Sequence, residues 1–72
     1  MSIGKRIRDR RKAAGLTQEE VARRAGMSLK GMGDIERGDI PDPHISSLNR
    51  IAEGLGVPVY ELLGEPVPAG KV

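Results

Sequence analysis

Two hydroxyl side chains, Thr17 and Ser28, each stand immediately before a stretch with helical apolar spacing. A hydroxyl there caps a helix, and a helix N-terminus offers free N–H groups and the positive end of its dipole. Such ends attract phosphate, so the pair could supply two anion sites for one polyanion backbone. The run KRIRDRRK, residues 5–12, adds longer-range attraction. Phosphate contacts of this kind make binding steeply salt-dependent. Thr17 and Ser28 are also plain caps, and the two uses are compatible. Lys5, Arg6, Arg8, Arg10 and Lys12 cannot all face one ligand, and at least half belong to solvated surface.

Other chemistry finds little support. There is no cysteine and one histidine, His44, with no second ligand near it in sequence. Neither metal binding nor general-base catalysis is expected there. No glycine loop has nucleotide-cradling spacing, and the chain is too small for a substrate cleft. No enzyme, no cofactor and no small-molecule site are expected. One Tyr is the sole aromatic residue, which argues against stacking on single-stranded nucleic acid.

The chain has 72 residues, enough for one small domain. A domain of this size buries only about 60% of its unfolded surface, so its core must be economical. Net charge is +2, unevenly spread. Residues 1–38 hold ten basic and five acidic side chains; residues 39–72 hold two and five. That polarity suits a basic face for a polyanion, although charged helix surface alone would also produce it. No stretch approaches the roughly 20 apolar residues of a membrane span. A soluble, cytoplasmic protein is expected.

Apolar spacing is helical throughout. Ile3, Ile7 and Ala14 share one face of a first helix, which Gly15 ends as a C-cap. Thr17 and Glu20 form a capping box for the second, which Gly26 stops. Ser28 caps the third, in which Met32 and Ile35 lie one turn apart and Gly38 closes the segment. Asp42 before Pro43 reads as the N-cap of the fourth, with Pro43 at its first position and Gly56 at its end. Pro58 starts a short fifth helix, with Leu62 and Leu63 turned inward. The expected core is Ile3, Ile7, Leu16, Val21, Ala25, Met27, Met32, Ile35, Ile45, Leu48, Ile51, Ala52, Leu55, Val57 and Leu62. Residues 1–64 form the domain, and 65–72, rich in Pro and Gly, read as a flexible tail or linker.

The second and third helices are joined by almost nothing. A steep tight turn needs a small residue where the helices cross and one tolerant of positive φ; Ala22 and Gly26 stand there. Val21, Ala25, Met27, Met32 and Ile35 supply the buried faces. With "GLTQEEVARRAGMS", "IERG" and "LNRIAEGLGVPVYELL", the chain from Ile3 to Leu63 strongly resembles the lambda-repressor/Cro-like (XRE) helix-turn-helix family. The resemblance implies an all-α, compact five-helix domain that binds double-stranded operator DNA as a two-fold homodimer, the third helix (28–37) in the major groove. It implies that Thr17 and Gln18 touch the DNA backbone, Gln18 also reaching for a base edge, and that Ser28 bonds a phosphate. It places Leu29, Lys30, Gly33 and Asp34 toward the groove and Arg37 on a phosphate. Arg11 and Glu36 match a family pair that forms a partly buried salt bridge.

The third helix departs from that pattern. Gly31 and Gly33 each cost about 1 kcal/mol against Ala in a helix interior, so its stability must come from packing of Met32 and Ile35. Gly33 has no side chain to read a base, although it would permit close approach of backbone to DNA. Leu29 could meet only a thymine methyl, Lys30 suits guanine O6 and N7, and Asp34 could accept from cytosine N4 while repelling phosphate. The following loop carries Asp39 and Asp42 and no basic residue. The leading expectation is a sequence-specific transcriptional regulator, a repressor, with modest affinity per monomer. The alternative is a protein-interaction module of the same shape that has lost DNA reading and docks through Val59, Tyr60 and Leu63.

Overall fold

The structure is a computed structural model, and it describes residues 2–64. It holds five helices among those residues: α1 Ile3–Ala13, α2 Gln18–Ala25, α3 Leu29–Arg37, α4 Ile45–Leu55 and α5 Tyr60–Leu63. The expected tail, 65–72, lies outside the described residues.

Local signals account for most boundaries. Ser2 caps α1 by accepting from the Lys5 amide at 3.1 Å. Ala14, not Gly15, is the α1 C-cap; Gly15 follows it at φ 72° and reverses the chain, so that Leu16 N–H reaches Arg11 carbonyl at 3.1 Å. At α2, Thr17 hydroxyl accepts from Glu20 N–H at 3.1 Å and Glu20 carboxylate accepts from Thr17 N–H at 2.9 Å. Ser28 hydroxyl accepts from Gly31 N–H at 3.0 Å to start α3. Gly26, Gly38 and Gly56 end α2, α3 and α4 in the left-handed region.

Two expected starts move. His44, not Asp42, precedes the first residue of α4, and its backbone is extended at ψ 144°. The first helical bond of α4 runs from Leu48 N–H to the His44 carbonyl at 3.1 Å, so Asp42 and Pro43 stay in the loop. Likewise α5 begins at Tyr60; Pro58 contributes only its carbonyl, which accepts from Glu61 N–H at 3.1 Å.

Ile7, Val21, Met32, Ile51 and Leu62 are fully buried at the centre, with Ala22, Ala25, Ile35, Leu48, Ala52 and Leu55 around them. Ile3, Leu16, Met27 and Val57 pack on the edge of this core. One expected core member, Ile45, lies outside it, and so does Leu63, which was expected to turn inward. Ile45 is 57% exposed, because a side chain leans toward its helix N-terminus and the first residue of α4 thus leans past the core. Leu63 is 38% exposed, because its neighbour Leu62 takes the inward side of this single turn.

Glycine also sets the helix crossings. Gly4 is buried where α1 meets α3: a Cβ there would lie 2.6 Å from the Glu36 carbonyl oxygen and closer still to that of Ile35. Gly54 does a milder version of this for α4 on α2, where a Cβ would come 3.1 Å from Arg24 Cβ. Arg24 donates to the Gly54 carbonyl across that contact at 3.2 Å. Arg10 pairs with Glu61 at 2.6 Å and ties α5 to α1.

The capping box makes an acid-sensitive joint. The Thr17 N–H and hydroxyl bonds, aided by Arg24 and Arg23, hold the Glu20 carboxyl below the ordinary carboxylate range. A depressed folded-state pKa stabilises the native state above the unfolded pKa of about 4.3 and stops doing so as pH falls through the folded value. Urea midpoints of the wild type should therefore fall further between about pH 5 and pH 3 than those of Glu20→Gln. Equal losses in both proteins would show that the box carries no such linkage.

Candidate nucleic-acid interface

Only Gly26, Met27 and Ser28 separate α2 from α3. Gly26, at φ 68°, lets the chain leave α2 sharply, and Met27 N–H bonds back to the Ala22 carbonyl at 2.9 Å. Ala22 is buried, so a small side chain does occupy that position.

Both helices of this unit begin on a hydroxyl cap. Thr17 and Ser28 are both exposed, and both hydroxyl oxygens accept a backbone N–H. An accepting hydroxyl keeps its proton, so each remains able to donate to an anion.

One buried carboxylate joins the elements behind this surface. Glu36 accepts from Arg11 Nε at 2.7 Å and from Arg11 Nη2 at 3.1 Å, a two-pronged pair. Its side chain is 2% exposed and that of Arg11 12%. The remaining Arg11 nitrogen, Nη1, donates to the Leu16 carbonyl at 2.9 Å. The bond to Glu36 raises the Arg11 pKa against the opposing effect of burial, so the guanidinium stays charged. Gln18 Nε2 completes the set by donating to Glu36 Oε1 at 3.0 Å. Thus α1, the α1–α2 turn, the first residue of α2 and the last turn of α3 meet on Glu36.

Gln18, which the resemblance assigns to the DNA backbone and a base edge, is already engaged within the protein. It is half-buried, and one of its amide protons is committed to Glu36. The Glu36 bond was not read from the sequence, since it joins residues 18 apart. Gly33 also differs. It is buried rather than open to a groove, and a Cβ there would lie 2.9 Å from Arg37 Nη1 and 3.7 Å from Gln18 Oε1. The guanidinium of Arg37 folds across it.

The exposed side of α3 carries Leu29, Lys30 and Arg37, with Asp34 between the two cations. Lys30 Nζ reaches Asp34 Oδ2 at 2.8 Å, and Arg37 Nη2 bonds Asp34 Oδ1. Arg37 Nε also bonds Asp39 Oδ2 at 3.1 Å. The Lys30 bond, reinforced by Arg37, holds the Asp34 carboxyl below the ordinary range against a desolvation effect. The spacings of four and three residues that permit these pairs are visible in the sequence.

No group of three or more metal-ligating side chains gathers among the described residues. A shallow cavity of about 260 Å³ lies between α3, the loop and α4, lined by Met27, Gly31, Ile35, Ile40, Pro43 and His44 among others. No helix among the described residues is long and apolar enough to cross a membrane.

Five helices on one core, with a three-residue turn joining α2 to α3 and a hydroxyl cap at the start of each, define a helix-turn-helix domain. The chain belongs to the helix-turn-helix domain family, whose model matches residues 2–63. It is 40% identical over 65 residues to the immunity repressor protein of Bacillus phage phi105, covering 90% of this chain and 44% of the repressor. It is 36% identical over 63 residues to the HTH-type transcriptional regulator SinR of Bacillus licheniformis, covering 88% of this chain and 57% of SinR. The chain thus spans about half the length of these curated relatives. Among solved structures, SinR, the master regulator for biofilm formation, in complex with DNA superposes with a TM-score of 0.81 at 36% identity, covering 85% of this chain and 97% of that one. The restriction-modification controller protein C.AhdI from Aeromonas hydrophila superposes with a TM-score of 0.80 at 32% identity, covering 83% and 89%.

Proposed function

We propose that this protein is a sequence-specific double-stranded DNA-binding transcriptional regulator that represses by occluding a promoter or operator. The observation that carries this reading is the pair of hydroxyl-capped helices α2 and α3 joined by three residues, with the first residue of α2 and Arg11 of α1 both bonded to Glu36 in the last turn of α3. SinR, a relative of similar fold, was solved in complex with DNA, and the phage relative is an immunity repressor.

In this reading Thr17 and Ser28 donate their hydroxyl protons, and the free N–H groups behind them, to phosphates on either side of the major groove. Gln18 extends along the backbone from its anchored position on Glu36. The first turn of α3 enters the groove, with Leu29 against a thymine methyl and Lys30 on guanine O6 and N7. Asp34 faces a base amino group, and Arg37 closes on a phosphate beyond. Arg11 and Glu36 touch no DNA; they hold α1 and α2 against α3. Residues 1–64 are the DNA-binding unit. The protein binds and does not catalyse, and it works in the cytoplasm.

Two copies on a two-fold operator would set their third helices roughly 34 Å apart, one helical turn of DNA. Tyr60 and Leu63, exposed on α5, give an apolar surface that a second copy can cover. The same surface favours a second reading, a protein-interaction module that docks through α5.

Selection of bound duplexes from a random pool, read by sequencing, separates the two. The regulator enriches a two-fold symmetric sequence with half-sites about 10 bp apart, centre to centre. Absence of enrichment even near ~20 mM salt, where phosphate contacts are strongest, would overturn the DNA-binding reading.

A further inference from the structure

The groove-facing surface of α3 carries its own counter-charge. Lys30 and Arg37 are its two cations, and Asp34 holds both, through separate carboxylate oxygens. Gly33 leaves the space in which the Arg37 guanidinium lies back along the helix, since a Cβ there would meet Nη1 at 2.9 Å. Asp39 takes Arg37 Nε from the other side at 3.1 Å. The Asp34 side chain, set between these partners, is only 16% exposed. A surface laid against a polyanion thus has its cations engaged by an anion at the centre.

Resting on the DNA-binding reading above, we infer that Asp34 is a specificity-determining residue that works by withholding Lys30 and Arg37 from phosphates. Phosphate alone is a poor substitute for Asp34. Moving either cation onto the backbone uncovers a carboxylate that the backbone repels. A base amino group changes this balance, because cytosine N4 and adenine N6 project N–H donors into the major groove and can satisfy the carboxylate. A site offering such a donor releases the cations; an arbitrary duplex does not. Asp34 therefore lowers non-specific affinity more than specific affinity, and the ratio of the two governs selection among genomic sites.

The test uses the whole chain, a short duplex of random sequence and fluorescence anisotropy across about 50–200 mM salt, the range in which phosphate contacts dominate affinity. Asp34→Ala should bind that duplex roughly tenfold more tightly than wild type at the low-salt end, with a log–log slope steeper by about one to two, since each released cation adds close to 0.9. Asp42→Ala removes an exposed acid of the same charge from the loop after α3, one that pairs with neither cation, and should change affinity less than about threefold. Adding Lys30→Gln to Asp34→Ala should cancel about half of the slope gain, because one of the two freed cations is gone. Circular dichroism melts establish that each variant is folded. Equal changes for Asp34→Ala and Asp42→Ala, or an unchanged slope in Asp34→Ala, would overturn the inference while leaving wild-type DNA binding in place. No binding by any of the four proteins at any salt would overturn the DNA-binding reading and the inference together.

Discussion

Arg11→Ala should destabilise the protein by about 3–5 kcal/mol, the cost typical of breaking a buried ion pair by removing one partner. The substitution leaves Glu36 with a side chain 2% exposed and only the Gln18 amide for company. It also deletes the donor to the Leu16 carbonyl, which fixes the turn between α1 and α2. A chain of 72 residues has a total stability of roughly 4–11 kcal/mol, so this one change removes a large part of it. At about 4–8 °C per kcal/mol for domains of this size, the melting temperature should drop by well over 10 °C. Arg8, exposed on the same helix, is the matched control; its replacement by Ala should stay within about 0.5 kcal/mol. Equal shifts for the two arginines would show that Glu36 does not depend on Arg11. Arg11→Lys tests the geometry separately: an ammonium keeps the charge and cannot make the forked contact, so partial rescue is expected.

Gly4→Ala should be nearly as damaging, although it adds one methyl group. Its Cβ would meet two backbone carbonyls of α3, and backbone cannot swing aside as a side chain tip can. Overpacking commonly costs about 1–3 kcal/mol, and the upper end applies where the obstacle is rigid. α1 must then lift from α3, which also pulls Arg11 from Glu36. The effects of Gly4→Ala and Arg11→Ala should accordingly be non-additive, the double variant losing less than the sum, because the first change already weakens what the second removes. The parallel change at Gly54 meets Arg24 Cβ at 3.1 Å and should cost less. Chemical denaturation of the three variants orders them; a Gly4→Ala protein as stable as wild type would contradict the close crossing.

The features legible in the sequence are those governed by near neighbours. The Thr17–Glu20 box, the Ser28 cap and the glycine stops at 26, 38 and 56 depend on backbone within a turn or two, and each stands where its residues placed it. The helix-turn-helix pattern is equally local, and it brought the partners Arg11 and Glu36 into view through family resemblance. What escaped was set by distant chain. Gly4 looks like an ordinary weak helix residue until α3 is laid across it. Gln18 is placed toward DNA by the resemblance, but its bond to Glu36, 18 residues away, is not marked in the sequence. Ile45 and Leu63 keep helical spacing with the core, but spacing cannot say where the core ends, and both fall at helix extremities. Lys30, Asp34 and Arg37 were all legible by type and spacing. Read singly they are three separate contacts; together they are one clasp.

The most direct measurement of DNA recognition by α2 and α3 is an amide chemical-shift map of the ¹⁵N-labelled chain, titrated with a duplex from the selection at about 50 mM salt, where phosphate contacts are strong. The largest shifts should fall at residues 17–20 and 28–37, with the exposed face of α1 moving less. Largest shifts at Tyr60–Leu63, with the N-termini of α2 and α3 unmoved at saturation, would contradict it.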